Sequence, residues 1–488
     1  MYRFLAFAFL VSVVPCWART ITVDNDGSAD FNNIQAAINY ANNGDIIVVL
    51  PGTYTDTSNR DIDFSGKTIT VCSTDPNTPD IVASTIINCG GTAGSPHRGF
   101  YFHSGENVNS IVEGLTIING YADDGAGISC EGASPTISNC HFINGTATDW
   151  GGGIWCYEAS PVISDCNFTG NSAREGGAVT TRSDWNILCS PLIKNCIMSG
   201  NYGSLDGGAF DSDCLSSPII SNCLIINNQS GSLGGGGIAI WQSTPTIQNC
   251  VIAGNYTTGW GSGIHQEYDF GDGSKITNCV ITGNTGYDNG EYGIFCTSKT
   301  LVKNSILRGN IDLQPGDCLY APDSDVAFAY CDVPNSIGSS PYGNMCMVKD
   351  GGGNIAAEPE FADPLNNDYH LKSEAGRWDP NSKRWVRDSI TSPCIDAGDP
   401  TSDWTAELWP HGKRINMGAY GGTAEASMSL SIVGNIADLN NDDHVDAFDF
   451  AIFAQQWLAE TAPLKEDLDR NGVVDVADFA ILADNWLW

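Results

Sequence analysis

The sequence predicts a mostly β protein: a right-handed parallel β-helix solenoid with an N-terminal helical cap, followed by a small α-helical calcium-binding domain. Three observations carry this prediction. The middle of the chain repeats every 26 to 30 residues. Each repeat consists of short strand-like runs bounded by Gly, Asn and Pro. The C-terminal residues 435–488 hold two acidic loops, each followed by an apolar helical stretch.

The repeat is marked by a cysteine that follows Asn or Asp. A period of this length made of short strands indicates a solenoid, and corners of Gly and Asn favour a parallel β-helix. We expect the cysteines to point inward as a ladder of small buried thiols, with a second ladder beginning at Cys130 and Cys156, and the asparagines to stack at a corner. The first ladder consists of Cys140, Cys166, Cys196, Cys223, Cys250 and Cys279, and the asparagines are Asn139, Asn195, Asn222, Asn249 and Asn278.

The N-terminal part is expected to close one end of the solenoid. Residues 30–38 have an N-cap candidate and apolar positions at helical spacing, and Asn43-Gly44 ends that pattern. Residues 46–50 form an apolar strand. A helix followed by such a strand is a suitable cap for the open hydrophobic end of a solenoid.

Charge excludes one class of partner and favours another. The chain has 57 Asp and Glu against 22 Lys and Arg, a formal charge of −35. Because phosphate backbones are bound by clustered cations, nucleic acid is not an expected partner. The acidic excess favours solvated cations, especially calcium, and an extracellular or cell-surface setting.

Residues 1–18 are interpreted as a secretory signal. Arg3 precedes an apolar run, and the segment ends on the small residue Ala18. The run is shorter than the ~18 residues that a membrane-spanning helix needs. We therefore predict a secreted mature chain with no membrane span.

The N-terminal stretch FNNIQAAINYANNGDIIVVLPGTY and the Asn-Cys repeats resemble bacterial secreted proteins of the pectate-lyase-like superfamily. The segments SPCIDAGDP (392–400) and MGAYGG (417–422) are similar to the end segment of such β-helix domains. The resemblance implies one β-helix domain over residues 19–423. It leaves the activity open, because the superfamily includes lyases, glycosidases, epimerases and proteins with no known activity.

After a linker at residues 424–436, two twelve-residue loops carry oxygen side chains at positions 1, 3, 5, 9 and 12, with a backbone carbonyl at position 7. This spacing is that of EF-hand calcium loops. The first loop offers Asp438, Asn440, Asp442, His444 (carbonyl), Asp446 and Asp449. The second offers Asp467, Asp469, Asn471, Val473 (carbonyl), Asp475 and Asp478.

Two such loops, each followed by one helix, resemble a type I dockerin over residues 437–488. The resemblance implies that these residues bind Ca²⁺ and that the partner is a cohesin-type scaffold or cell-surface protein. Two departures weaken the match. Position 6 of the first loop is Asp443 instead of Gly, and the residues before the last ligands are Ala447-Phe448 and Val476-Ala477 instead of Ser-Thr.

The strand after each Gly-rich turn predicts a face of the solenoid. Alternation places one side chain inward and the next outward. The expected inward positions are Ile128, Ile154, Val179, Phe210, Ile238, Ile264 and Ile294. The outward positions form a first column of Ser129, Trp155, Thr180, Asp211, Ala239, His265 and Phe295, and a second of Glu131, Tyr157, Arg182, Asp213, Trp241, Glu267 and Thr297.

This face supplies the candidate site. Trp155, Tyr157 and Trp241 are expected to be exposed aromatic rings for substrate binding. The catalytic candidates are Asp211, Asp213, Arg182, His265 and Glu267.

Three interpretations stay open. Paired carboxylates can act as acid and base in glycoside hydrolysis. They can also hold calcium against a uronate, with Arg182 as the base of a lyase. The face can also bind glycan without catalysis.

The predicted function is that of a secreted carbohydrate-active protein that binds or degrades a polysaccharide and docks to a cohesin-bearing partner through calcium. The alternative is a non-catalytic surface or adhesive β-helix protein with a glycan-binding face.

Overall fold

The computed structural model describes residues 18–27, 29–183, 189–268, 273–287, 293–310, 321–333, 346–460 and 463–487. The predicted signal segment lies outside these residues except for Ala18. The main body is a parallel β-helix, as predicted. Each full coil contributes one strand to each of four parallel sheets, which we number 1 to 4 in the order in which a coil passes through them.

We call the β-helix the rod. Sheets 1 and 2 are its longest sheets, and sheet 1 continues beyond the last described strand of sheet 2. The strands of sheet 1 are Thr20–Val23, Ile46–Val49, Thr70–Ser73, Ile111–Glu113, Thr136–Ser138, Val162–Ser164, Leu192–Lys194, Ile219–Ser221, Thr246–Gln248, Ser274–Thr277, Thr300–Lys303, Ala321–Ala329 and Cys346–Asp350. Those of sheet 2 are Gly52–Tyr54, Thr85–Asn88, Thr116–Ile118, His141–Ile143, Asn167–Thr169, Ile197–Ser199, Leu224–Ile226, Val251–Ala253, Val280–Thr282 and Ile306–Arg308.

Sheets 3 and 4 are shorter and carry the candidate site. The strands of sheet 3 are Tyr121–Asp124, Thr146–Trp150, Ser172–Glu175, Tyr202–Asp206, Gln229–Ser230, Tyr256–Thr257 and Thr285–Gly286. Those of sheet 4 are Phe100–Phe102, Ile128–Glu131, Ile154–Tyr157, Val179–Arg182, Phe210–Asp213, Ile238–Trp241, Ile264–Glu267 and Ile294–Cys296.

The N-terminal cap contains helix α1 (Ile34–Tyr40), which begins where the Asn33 side chain accepts a hydrogen bond from the backbone N–H of Ala36. The helix buries Ile34, Ala37 and Ile38 against the first coils. A short second helix, α2 (Pro79–Ser84), precedes a strand of sheet 2. The predicted cap and the strand after it are both present.

The core of the rod is a continuous cluster of apolar side chains and cysteines. All six cysteines of the predicted first ladder, and Cys130 and Cys156, are buried free thiols. Thiols of the first ladder donate to the carbonyl two residues earlier, as Cys166 does to Ser164 at 3.1 Å. The predicted inward positions of sheet 4 are also buried and in register.

The asparagines before these cysteines do not stack on one another. They sit at left-handed corners, for example Asn195 at φ 54°, and their amides reach other groups. Asn195 donates to Asp165 at 3.0 Å, and Asn249 donates to the carbonyls of Ala419 and Gly421. The expectation of a corner amide stack at these positions is therefore wrong.

A buried amide ladder exists instead five residues after the ladder cysteines from Cys166 to Cys279, and after Ser305 in the next coil. Between the two ends of the ladder, each side chain accepts from the backbone and the amide of the previous coil and donates to the next, with N–O distances of 2.9–3.0 Å for the amide-to-amide bonds. The ladder consists of Asn171, Asn201, Asn228, Asn255, Asn284 and Asn310.

After its last strand of sheet 1, the chain folds back along the outside of sheet 2, and we count this C-terminal segment as part of the rod. This C-terminal segment contains the 3₁₀ turn Pro364–Asn366 and two antiparallel hairpins, Phe361–Asp363 with Asp368–Leu371 and Arg377–Asp379 with Arg384–Val386. Tyr369, Leu371, Cys394 and Met417 pack on apolar residues of sheet 2.

The last part of the chain has a small core of its own. It contains helices α3 (Ala447–Gln455) and α4 (Val476–Asp484), each of which begins at an Asp with a reciprocal capping box. Across the described residues no helix has the length and apolarity needed to cross a membrane.

Candidate functional site

The predicted face of sheet 4 contains a cluster of carboxyl groups on two neighbouring coils. Asp211 and Asp213 lie two apart on one strand, so their Cα atoms are ~6.5–7 Å apart. Asp206 ends the sheet 3 strand of the same coil, and Glu175 ends the sheet 3 strand of the coil before it. The two residues are partners in register. We call Glu175, Asp206, Asp211 and Asp213 the acid cluster.

The acid cluster forms because the chain turns sharply between sheets 3 and 4. The corner residues Gly176 and Gly207 have φ of 66° and 57°, a left-handed conformation that favours glycine. A Cβ on Gly207 would lie 2.8 Å from the Cβ of Asp211. The corner therefore folds the last residue of each sheet 3 strand over the first outward column of sheet 4.

This fold-over changes the expected exposure of the first column. Thr180, Asp211, Ala239 and His265 are buried, and Trp155 is 4% exposed, so the expectation of an exposed Trp155 is wrong. The Trp155 ring stacks on Trp150 of sheet 3 with centroids 5.1 Å apart. Outward positions next to a tight corner are covered by the preceding strand.

Burial and like charge together perturb the carboxyl groups. Burial raises the pKa of Asp206 to about 8, and the nearby charges of Glu175 and Asp213 act in the same direction. Burial also raises the pKa of Asp211 far above its usual range, helped by the other three acids of the cluster. Within the described part of the chain, Asp206 Oδ1 and Asp211 Oδ2 are buried without a hydrogen-bond partner.

Asp213 has a different environment. Its Oδ2 lies 3.0 Å from Nη1 of Arg182, on the neighbouring strand. The Arg182 guanidinium lies 4.9 Å from the ring centroid of Trp150, whose Nε1 donates to Glu175 at 2.8 Å. Arg182 is thus held between an aromatic face and a carboxylate.

Aromatic side chains line the face on both sides of the Arg182–Asp213 pair. In the second outward column Tyr157 pairs with Arg182 and Trp241 pairs with Asp213. Both are half-buried, and Trp241 packs edge-on against the exposed Tyr268. Tyr157 stacks on Trp155 with centroids 5.9 Å apart.

His265 and Glu267 form a separate pair. Strand register places them two coils beyond Asp211 and Asp213, ~10 Å away. His265 Nε2 lies 3.3 Å from Glu267 Oε1, and the imidazole packs against Phe295 with centroids 5.2 Å apart. The structure therefore does not bring these two candidates into the acid cluster.

Sequence reasoning missed Glu175, Asp206 and Trp150. The signal was present, because each of them immediately precedes the left-handed glycine of its coil. These three residues were not aligned with the outward columns of sheet 4. The alternation of side chains along a strand does not show how the chain turns at the corner before it.

The two predicted calcium loops have the same internal hydrogen bonds. Asp438 accepts from the backbone of Asp442 and Asp443 at 3.1 and 3.0 Å. Asp467 accepts from Asn471 and Gly472 at 3.1 and 2.9 Å. Asp443 adopts φ of 68° where Gly472 has 97°, so the first loop keeps its turn without glycine.

The donor set of the second loop fits calcium. Carboxylate oxygens of Asp467, Asp469 and Asp478 converge within 4.8 Å of one another. The last ligand of each loop is fully buried, and its second oxygen caps the helix that follows. Burial raises the pKa of Asp438 and Asp467, and a divalent cation would offset that cost.

Comparison with known families identifies the C-terminal module first. Residues 436–487 match the family described as "Dockerin type I domain", so this part of the chain is a dockerin. Residues 247–398 match a family described as "Disaggregatase related". That second match covers His265 and Glu267 but not the acid cluster. No curated protein matches the chain.

Solved structures are similar to most of the chain, and two of them are described here. One is described as "Crystal structure of pectate lyase Pel9A": 16% identity, TM-score 0.46, covering 82% of this chain and 96% of that one. The other is "Structure of PL6 family alginate lyase AlyGC": 11% identity, TM-score 0.31, covering 77% of this chain and 57% of that one. Neither likeness assigns a function to this chain.

Proposed function

We propose that the chain is a secreted carbohydrate-active protein whose rod face cleaves a polysaccharide, and whose dockerin attaches it to a cohesin-bearing partner when calcium is bound. The observation that supports catalysis is the contrast between two neighbouring carboxyl groups. Asp211 is buried with a raised pKa, while Asp213 is ion-paired with Arg182. Carboxyl pairs with such different environments serve as acid and base in glycoside hydrolysis.

In this proposal Asp211 donates its proton to the glycosidic oxygen as the bond breaks. Asp213 activates a water molecule or attacks the sugar directly, and the separation of the two carboxyl groups decides between inversion and retention. Arg182 positions Asp213. It is a poor candidate for the base of a lyase, because a guanidinium keeps its proton in proteins.

Tyr157 and Trp241 are proposed to hold sugar rings on either side of the reacting bond. They lie three coils apart in one column, ~14 Å. Aromatic faces suit sugar rings because they bury the apolar face of the ring and leave its hydroxyls at the edge. Trp155 supports Tyr157 from beneath rather than contacting substrate. His265 and Glu267 remain candidates for a more distant subsite.

The dockerin part rests on the calcium loops. Asp438, Asn440, Asp442, Asp446 and Asp449, with their counterparts in the second loop, would hold one Ca²⁺ each, and the His444 and Val473 carbonyls would complete the sets. Calcium supplies the charge that lets these acids converge. The exposed starts of α3 and α4, including Phe448 and Val476, are proposed to face the partner.

The alternative is a non-catalytic glycan-binding rod. Its supporting observation is the burial of Asp211, which is 2% exposed. Binding would then use Tyr157, Trp241 and Tyr268, and the acid cluster would be structural.

The two functions separate in one experiment. The purified chain is incubated with a panel of neutral and acidic polysaccharides, and three quantities are measured: retardation in affinity electrophoresis, new reducing ends, and the ultraviolet absorbance of unsaturated ends. We expect retardation together with new reducing ends and no unsaturated ends. Unsaturated ends would indicate a lyase, and retardation without new ends would indicate the non-catalytic rod.

A further inference from the structure

The dockerin contacts the rod in this structure. Residues at position 4 of both calcium loops contact one stretch of the C-terminal segment. Asn441 donates to the Thr405 carbonyl at 3.3 Å, and Arg470 donates to the Trp409 carbonyl at 3.1 Å. Both residues are in left-handed conformations, with φ of 60° and 63°, so the tips of both loops project towards the rod.

Charge and aromatic contacts join the same two surfaces. The ammonium group of Lys413 on the rod donates to Asp443, at position 6 of the first loop. The Arg470 guanidinium lies 6.0 Å from the ring centroid of Trp385, within the range of a cation–π contact. Arg470 also donates to the carbonyl of Asp467 at 2.8 Å, so one side chain links the first ligand of the second loop to the rod.

The opposite side of the dockerin stays open. Phe448 and Val476, near the starts of α3 and α4, are 70% and 68% exposed. Docking on the rod therefore uses the loop tips and leaves the helix starts accessible to another protein.

We propose that rod residues 404–413 form a docking surface for the calcium loops of this chain's own dockerin, so that calcium binding and docking reinforce each other. The inference rests on the proposed calcium sites. Without a cation, the converging carboxylates of Asp467, Asp469 and Asp478 repel one another and favour an open loop. With calcium bound, the loop would close and the position-4 residues would be held where they meet the rod. Coupling of two binding events is reciprocal, so docking also favours calcium binding.

Hydrogen exchange of the full chain, with calcium and with a chelator, tests this proposal. The stretch 404–413 contains no proposed calcium ligand, so a calcium effect there reports docking. We expect calcium to slow exchange at residues 436–487 and, by about fivefold, at residues 404–413. Slower exchange at 436–487 with no change at 404–413 would overturn the docking proposal and leave the calcium sites intact. No calcium effect at 436–487 would overturn the proposed calcium sites.

Variants assign the effect to named contacts. The double variant Lys413→Gln/Asn441→Ala removes two cross-surface contacts without changing a proposed ligand. It should lose most of the calcium response at 404–413 and keep that at 436–487. The control is Lys372→Gln, which removes a 3.5 Å ion pair with Glu360 in the same C-terminal segment and none of the contacts described above. An undiminished response in the double variant would contradict the assignment.

Discussion

Burial and like charge act in the same direction on Asp211. The residue is 2% exposed and surrounded by three other acids, with one guanidinium nearby. An ionised carboxylate there is costly, so the folded chain favours the protonated form. Such a group destabilises the fold at high pH, and a buried acid with a strongly raised pKa is a candidate for a chemical task.

We predict that Asp211→Asn stabilises the rod while removing activity. A carboxyl group whose folded pKa is raised costs no stability below its ordinary value of ~4 and costs progressively more as pH rises towards the folded pKa. Asn carries no charge, so the variant avoids this cost. At pH ~8 we expect the free energy of unfolding of the variant to exceed that of the wild type by at least about 1 kcal/mol. The difference should vanish near pH ~4.

The measurement is chemical denaturation of the rod at several pH values in calcium-free buffer. Asp123→Asn is the matched control, because Asp123 is an exposed acid at the end of a sheet 3 strand, outside the acid cluster. A variant of Asp211 that is less stable than the wild type at every pH would show that the carboxylate is a needed hydrogen-bond partner instead.

The asparagine ladder joins neighbouring coils through buried side-chain hydrogen bonds. Asn228 is 1% exposed and forms four side-chain hydrogen bonds, to Asn201, Met198 and Asn255. Asn222 is an exposed corner residue at φ 52°. The two asparagines belong to one coil and differ in burial.

We predict that Asn228→Ala costs about 3 kcal/mol or more of unfolding free energy, because buried partners lose their hydrogen bonds. Asn222→Gly should change it by less than about 0.5 kcal/mol, because Gly accepts the left-handed corner at least as well. Urea denaturation of both variants measures the difference. Equal losses would contradict the ladder as a stabilising element.

Prediction from sequence succeeded where one position dictates one outcome. The cysteine column and Ile154, Val179 and Phe210 were placed correctly, because an apolar side chain on an alternating strand has one favourable side. The asparagines were misassigned because two Asn columns share one period, and the difference between them is backbone conformation. The exposure of Trp155 was predicted wrongly because Trp150 covers its ring from the other side of the corner. The alternation of side chains along a strand gives no information on the angle of that corner.

At the scale of the whole molecule, the core of the dockerin is separate from the rod core and from the cluster between sheet 2 and the C-terminal segment, as far as the described residues show. The rod is held by apolar packing and amide ladders, and we propose that the acids of the dockerin loops hold calcium. The two parts should therefore respond differently to the removal of calcium.

We predict two thermal transitions by calorimetry. A chelator should lower the dockerin transition, since calcium at a hundredfold excess over Kd contributes about 2.7 kcal/mol per site. It should leave the rod transition nearly unchanged. An equal concentration of the calcium-saturated chelator serves as the ionic-strength control. A dockerin transition insensitive to the chelator would contradict the calcium assignment of both loops.

The acid cluster on the rod face is proposed to be a catalytic centre for a polysaccharide. The most direct measurement is reducing-end release by the wild type, by Asp211→Asn/Asp213→Asn and by Asp123→Asn on whichever polysaccharide the wild type degrades. We predict release by the wild type and by Asp123→Asn, and a loss of at least about a hundredfold in the double variant, the scale of acid–base catalysis. Release that survives in the double variant would contradict it.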